Sequence, residues 1–260
     1  MRRVETVRRW LRHAGPGRTA SVLGGYLAVR ALGTGIRRHV APAIGDFTAS
    51  GGPIVTAAGD LLRALGFSAD RVASVLAEYP AVADRLAERY AAVELYYPRT
   101  HGVEAETGAA LYGLTRLLAP ARVAETGVAD GRSSYVILAA LTRNGTGTLH
   151  SFDVNDTAGR LVGHHPQWRL TILDRRAPDR ALRRELAALG PLELFFHDSD
   201  HMYLSQLFEY DEVWPHLVAG GVLASDDVDD SRAFLDFCAQ RARRPAFLFD
   251  HRKIVGAARV

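Results

Sequence analysis

Between residues 122 and 225 the chain repeats one pattern: a short apolar run, then a longer stretch whose apolar residues recur every three or four positions. The runs Arg122 to Thr126, Thr148 to Asp153, Arg169 to Leu173, Leu192 to His197 and Gly221 to Ser225 have the length and content of buried strands. Ser133 to Leu141, Pro178 to Leu189, Tyr203 to Trp214 and Ser231 to Arg241 carry the helical period. Strand and helix alternate, which predicts an α/β domain with a mainly parallel sheet and a ligand at the carboxyl ends of its strands. The tail departs from this rule. Ala246 to Phe249 and Lys253 to Arg259 are β-like and separated only by Asp250-His251-Arg252, too little for a crossover helix, so an antiparallel hairpin is expected.

Upstream the signal is helical. Val4, Val7 and Leu11 recur at helical spacing among arginines, predicting a short amphipathic helix closed by Gly15-Pro16-Gly17, either on a membrane surface or docked on protein. Residues 21 to 44 are interrupted by glycine and ambiguous. Ile54 to Leu65, Ser68 to Glu78, with Ser68 as N-cap, and Ala81 to Val93 read as helices, followed by Glu104 to Leu118, which Pro120 ends. The expected division is a helical extension over residues 1–100 and a ligand-binding domain over 101–260. The extension would cap an acceptor site or form a subunit interface, so a homo-oligomer fits this division.

Composition narrows the classes. With 260 residues, 48% hydrophobic and 23% charged, the chain suits an ordinary globular protein. A single cysteine, Cys238, excludes an internal disulfide and a cysteine-rich zinc site, and fits a reducing cytoplasm. The apolar stretch Thr19 to Val29 is broken by Arg30 and falls short of the roughly 18–20 residues of a membrane span. The basic start holds Glu5 and leads to no clear cleavage site, so neither secretion nor stable membrane insertion is expected. Basic residues total 32 against 29 acids, and Lys253 is the only lysine. Arginine otherwise supplies the positive charge.

The segment Val123 to Ser134 is a strand that runs into a glycine-bearing turn and opens a helix. Gly127 and Gly131 let the backbone approach a ligand, and the helix start offers free N–H groups to a nucleotide-like molecule. The spacing is neither the Gly-x-Gly-x-x-Gly dinucleotide fingerprint nor a Walker motif. Glu125, before the first glycine, suits a cationic amino group better than a pyrophosphate. Asp153, at the end of the next strand, can bind both hydroxyls of a ribose. A tight turn with no ligand is the plain alternative. Glu125-x-Gly127-x-x-x-Gly131-x-Ser133 resembles the first motif of class I S-adenosylmethionine (SAM)-dependent methyltransferases, in the variant of the catechol, caffeoyl-CoA and macrolide-sugar O-methyltransferases. That resemblance, which covers about residue 100 to the end, implies a Rossmann-like, mainly parallel seven-stranded sheet with a C-terminal antiparallel hairpin. It also implies that Glu125, Gly127, Gly131 and Ser133 surround the methionine part of SAM, that Asp153 holds the ribose and that Asp174 reaches the adenine.

A second cluster joins two strand ends: His197-Asp198-Ser199-Asp200-His201 and Ser225-Asp226-Asp227. Adjacent ends would gather Asp198, Asp226 and Asp227, whose mutual repulsion calls for a cation, and all-oxygen ligation selects Mg²⁺. A solvated acidic loop is the alternative, since Asp229 and Asp230 continue the run. These positions resemble the metal triad of the same O-methyltransferases. His201 stands where the catechol and caffeoyl-CoA type carries a lysine, and it would serve as the base or orient Asp198. Zinc on His197 and His201 is disfavoured because strand side chains alternate faces. Tyr96, Tyr97, Arg99 and His101 would form a lid or simply pack. The expected activity is methyl transfer from SAM to a hydroxyl of a small molecule, a sugar or natural product, assisted by Mg²⁺. The rivals are a same-fold enzyme with other chemistry, like the cephalosporin-hydroxylase-like relatives, and a nucleic-acid-binding methyltransferase. An Asn-Pro-Pro-Tyr-type motif is missing and acids nearly balance the basic residues, so nucleic acid is not the expected partner.

Overall fold

A computed structural model describes residues 41–260. The expected helix over Val4 to Leu11 and most of the ambiguous stretch 21 to 44 lie outside these residues. The described chain opens with α1 (Ile44–Ala49), β1 (Ile54–Val55), α2 (Ala58–Ala64), α3 (Ala69–Leu76) and α4 (Tyr79–Ala92). After a single 3₁₀ turn at Arg99–His101 come α5 (Ala105–Leu118), β2 (Arg122–Thr126), α6 (Arg132–Asn144), β3 (Thr148–Asp153) and β4 (Trp168–Ile172). Then follow α7 (Pro178–Leu189), β5 (Leu192–His197), α8 (Tyr203–Val213), β6 (Leu217–Ser225), α9 (Ala233–Gln240), β7 (Ala246–Asp250) and β8 (Lys253–Arg259).

The strands form one eight-stranded sheet in the order β1-β7-β8-β6-β5-β2-β3-β4. Only β8 runs antiparallel to its neighbours, β6 and β7. The crossover from the central β5–β2 pair outward in both directions opens a crevice at the carboxyl ends of these strands, where ligands of such sheets bind.

Strand alternation divides the core in two. Val123, Leu194, Phe196 and Val222 join the cluster built with Leu61, Leu111 and Val136, whereas Ala124, Phe195 and Leu223 join Leu182, Tyr210 and Phe234 on the other face. Helices α2 to α6 thus cover one face and α7 to α9 the other. Helix α5 is apolar nearly all round and buried along most of its length, as a helix sandwiched between sheet and outer helices must be. A Cβ on Gly113 would stand 2.5 Å from Leu62 Cδ1, so the missing side chain sets how closely α2 approaches α5. Through such contacts the described residues before 100 share the core of the sheet domain.

Two expectations are corrected. Ile54 to Leu65 is not one helix: after Pro53, the β-branched Ile54 and Val55 pair in parallel with Phe247 and Leu248, adding an eighth strand to the expected seven, and the helix starts only at Ala58. Ser68 occupies the N-cap position of α3 in extended backbone, yet its side chain makes no capping bond.

Candidate functional site

A cavity of about 750 Å³ lies at the carboxyl ends of β2, β3, β5 and β6. Its wall includes Gly127 and Asp153 toward β3, and Asp198, His201, Asp227 and Lys253 toward β6, with Tyr97, Thr100 and His101 contributed from the chain before α5.

The turn after β2 is shaped by close approach. Gly127 has φ +78°, and a Cβ there would lie 1.9 Å from the Asp198 carbonyl oxygen, so no other residue fits without moving the β5 end. Asp153 accepts from the N–H of Val128 at 2.8 Å and of Ala129 at 3.2 Å through one oxygen, and from Asn155 N–H at 2.8 Å through the other. It therefore fixes the turn while its carboxylate lines the cavity. Asp130 takes the N–H groups of Tyr96 and Tyr97 at 3.0 and 2.8 Å, which brings the chain before α5 over the same turn. Gly131, with φ +89°, is the N-cap of α6 and is not itself among the residues that line the cavity.

Glu125 and Ser133, expected beside the methionine part of a cofactor, line no part of this cavity. Glu125 is fully buried and accepts from Ser133 at 3.0 Å, Ser151 at 2.6 Å and Ser134. Burial pushes its carboxyl above the usual range, with the three hydroxyls opposing. It ties β2 to β3 and to the start of α6. Asp174 is also away from the wall; it is exposed and accepts from Arg176 N–H at 2.9 Å, while its neighbours Leu173 and Arg175 face the cavity.

On the other side the ladder continues past the strand ends: Asp198 N–H donates to Thr126 O and Asp226 N–H to His197 O, both at 2.8 Å. This sets the acids side by side. His201 Nδ1 lies 2.9 Å from Asp227 Oδ2 and its Nε2 lies 3.6 Å from Asp198 Oδ1. Burial pulls the imidazole down, but Asp227, aided by Asp226 and Asp230, outweighs it and raises His201 above the ordinary histidine range. Asp198 is driven well above the carboxylate range, first by burial and then by the charge of Asp226. Asp227 is held low despite burial by its bond to His201.

Asp198, His201 and Asp227 each bring one donor atom within 4.8 Å of the others; Asp226 brings none to this set. Asp226 is fully buried, its Oδ2 paired with Lys253 Nζ and its Oδ1 without a partner. The three-acid triad read from sequence therefore does not converge as a unit, because the chain's lysine claims one member. His197 is likewise engaged elsewhere, with Nδ1 2.8 Å from Glu209 Oε2.

Glu209 and Lys253 have no part in the site expected from sequence. Glu209, on α8, also accepts from Ser199 at 2.7 Å and from Thr126, and His197 with these hydroxyls holds its carboxyl low against burial. In the sequence it is one acid among several on an amphipathic helix. Lys253 is marked there only by being the sole lysine.

Residues 124–228 match a family model described as a methyltransferase domain. No curated protein sequence matches the chain. Among solved structures, the O-methyltransferase of Bacillus cereus in complex with SAH superposes with a TM-score of 0.54 at 12% identity, over 69% of this chain and 91% of that one. The O-methyltransferase of Streptomyces achromogenes involved in tomaymycin synthesis, in complex with SAM, gives 0.54 at 16% identity over 69% and 89%. An SAH-bound methyltransferase of Podospora anserina gives 0.52 at 16% identity over 74% and 94%. At such identities the likeness shows the fold alone, which this chain shares with these SAM- and SAH-bound methyltransferases.

Proposed function

We propose that this chain, which matches a methyltransferase-domain model over residues 124–228 and shares its fold with SAM- and SAH-bound methyltransferases, moves the methyl group of SAM to a hydroxyl of a small molecule such as a sugar or another natural product. The observation that carries the reading is one cavity with Gly127 and Asp153 on one side and an Asp–His–Asp arrangement on the other. Asp153 would take the ribose hydroxyls, while the turn through Gly127 and the start of α6 at Gly131 would pass close to the rest of the cofactor. Glu125 and Ser133 would hold that turn from behind, and Asp174 would have no direct part. Bound there, SAM supplies an electrophilic methyl group and a neutral thioether leaving group.

The protein's task is then orientation and proton removal. Asp227 accepts the Nδ1 proton of His201 and fixes its tautomer, which leaves Nε2 as the basic nitrogen toward Asp198 and the cavity. Nε2 would take the proton of an acceptor hydroxyl held against it in the cavity. Tyr97, Thr100 and His101 would border the acceptor, giving the stretch before α5 a share in specificity. No helix among the described residues is long and apolar enough to cross a membrane. A reducing cytoplasm suits the buried Cys238, whose thiol burial pushes up to about 12.

A second reading assigns activation of the hydroxyl to Mg²⁺. It is favoured by the convergence of Asp198, His201 and Asp227, which would hold the ion so that it lowers the pKa of the acceptor hydroxyl. Both readings are tested by incubating the protein with SAM and a panel of sugar and polyketide hydroxyl acceptors, with and without EDTA, and following SAH. Acceptor-dependent SAH in EDTA supports His201 alone, loss in EDTA supports the metal, and acceptor consumed with no SAH formed points to other chemistry on the same fold.

A further inference from the structure

Lys253 opens β8 directly after the turn His251-Arg252, and only 4% of it is exposed. It is not a mobile surface lysine. Ile254, the next residue, donates its N–H to Asp229 Oδ1 at 2.9 Å and accepts from Val228 N–H at 3.0 Å, so both of its main-chain groups are tied to the loop that follows Asp226 and Asp227. From this fixed point the ammonium pairs with Asp226 Oδ2 and stands 3.8 Å from Asp227 Oδ2.

Three neighbouring carboxylates need a cation, and a buried ammonium needs a carboxylate. Here each requirement answers the other. A divalent ion drawn to Asp226 would have to break that pair and leave two positive charges close together in a medium that screens poorly. We propose that Lys253 is the built-in cation of this acid cluster, seated on Asp226 where the sequence pattern calls for a divalent metal, and that it prevents a metal shell from forming on the three acids. In the methyl-transfer reading, on which its purpose rests, Lys253 is a positioning residue: it holds Asp226 and steadies Asp227, the partner of His201. The nearby Arg252 is committed elsewhere, to Glu104 at 2.7 Å and to the Thr100 carbonyl.

Metal uptake reads this without turnover. Mn²⁺ binding to the full chain is followed by loss of the free-ion EPR signal, with SAM calorimetry on the same samples. Wild type is expected to bind Mn²⁺ no tighter than about 1 mM, the range of weak carboxylate sites. Lys253→Met should gain about tenfold or more in affinity as the competing charge leaves, and Asp226→Asn added to it should abolish the gain. Lys253→Arg, which keeps the charge, should stay as weak as wild type. Micromolar Mn²⁺ binding by wild type or Lys253→Arg, lost on Asp198→Ala, overturns the proposal even if Lys253→Met does not fold. A folded Lys253→Met that binds no better than wild type overturns it too. SAM calorimetry separates the two kinds of failure, because absent SAM binding counts against methyl transfer and not against the lysine.

Discussion

His201 stands between two carboxylates, with Nδ1 2.9 Å from Asp227 Oδ2 and Nε2 3.6 Å from Asp198 Oδ1. The short contact fixes which nitrogen carries the proton, and the longer one leaves the other nitrogen available to an acceptor hydroxyl. Substituting His201→Gln should therefore lower turnover by about 10²–10⁴-fold while SAM affinity changes little, as stopped assays paired with calorimetry would read.

The pH profile follows from the same pair. In the proposed role of base His201 must be neutral, and the acids around it raise its pKa, so its proton leaves only above the ordinary histidine value of about 6.5. Turnover should rise with pH through a midpoint above that value. Asp227→Asn should move the midpoint down, because the neutral amide no longer favours the imidazolium. A limb that stays in place would take Asp227 out of the proposed role.

Asp153 is expected to act on cofactor affinity. Its carboxylate lines the cavity and also anchors Val128 and Ala129. Removing a charged acceptor should weaken SAM binding by about 10- to 100-fold in Asp153→Ala, measured by calorimetry on protein whose fold is checked by circular dichroism.

Glu125 should act on stability instead. Glu125→Ala leaves three buried hydroxyls without their acceptor, and the loss should reach about 3 kcal/mol or more in urea unfolding. The sign of its pH dependence is also set. Burial raises the carboxyl in the folded state, so the folded protein binds the proton more tightly than the unfolded chain. That contribution is present at acid pH and is lost as the pH climbs through the raised value. Glu125→Gln should remove this part of the slope.

Much of this architecture is legible in the sequence because the apolar pattern and the chain's short connections leave few choices. The strand bounds at Arg122–Thr126, Thr148–Asp153 and Leu192–His197 follow from the sequence alone. Ile54 and Val55 escape such a reading, since two residues cannot display a period and only the distant β7 edge makes them a strand. The site is legible in its loops but not in its side-chain directions. Spacing places Glu125 beside the glycine turn, yet a strand residue faces the cavity or the interior according to its neighbours, and three serines decide for the interior. Lys253, which lies 27 residues from Asp226 in sequence, meets it only because β8 runs back beside β6.

In the proposed function the cavity beside Gly127 and Asp153 takes SAM, and titration calorimetry of the wild-type chain with SAM reads this in one step. One site is predicted, with an affinity between about 1 μM and 1 mM, the span in which enzymes meet their substrates, weakened in Asp153→Ala and kept in His201→Gln. Absence of binding by the folded wild-type chain at SAM concentrations above about 1 mM would contradict it.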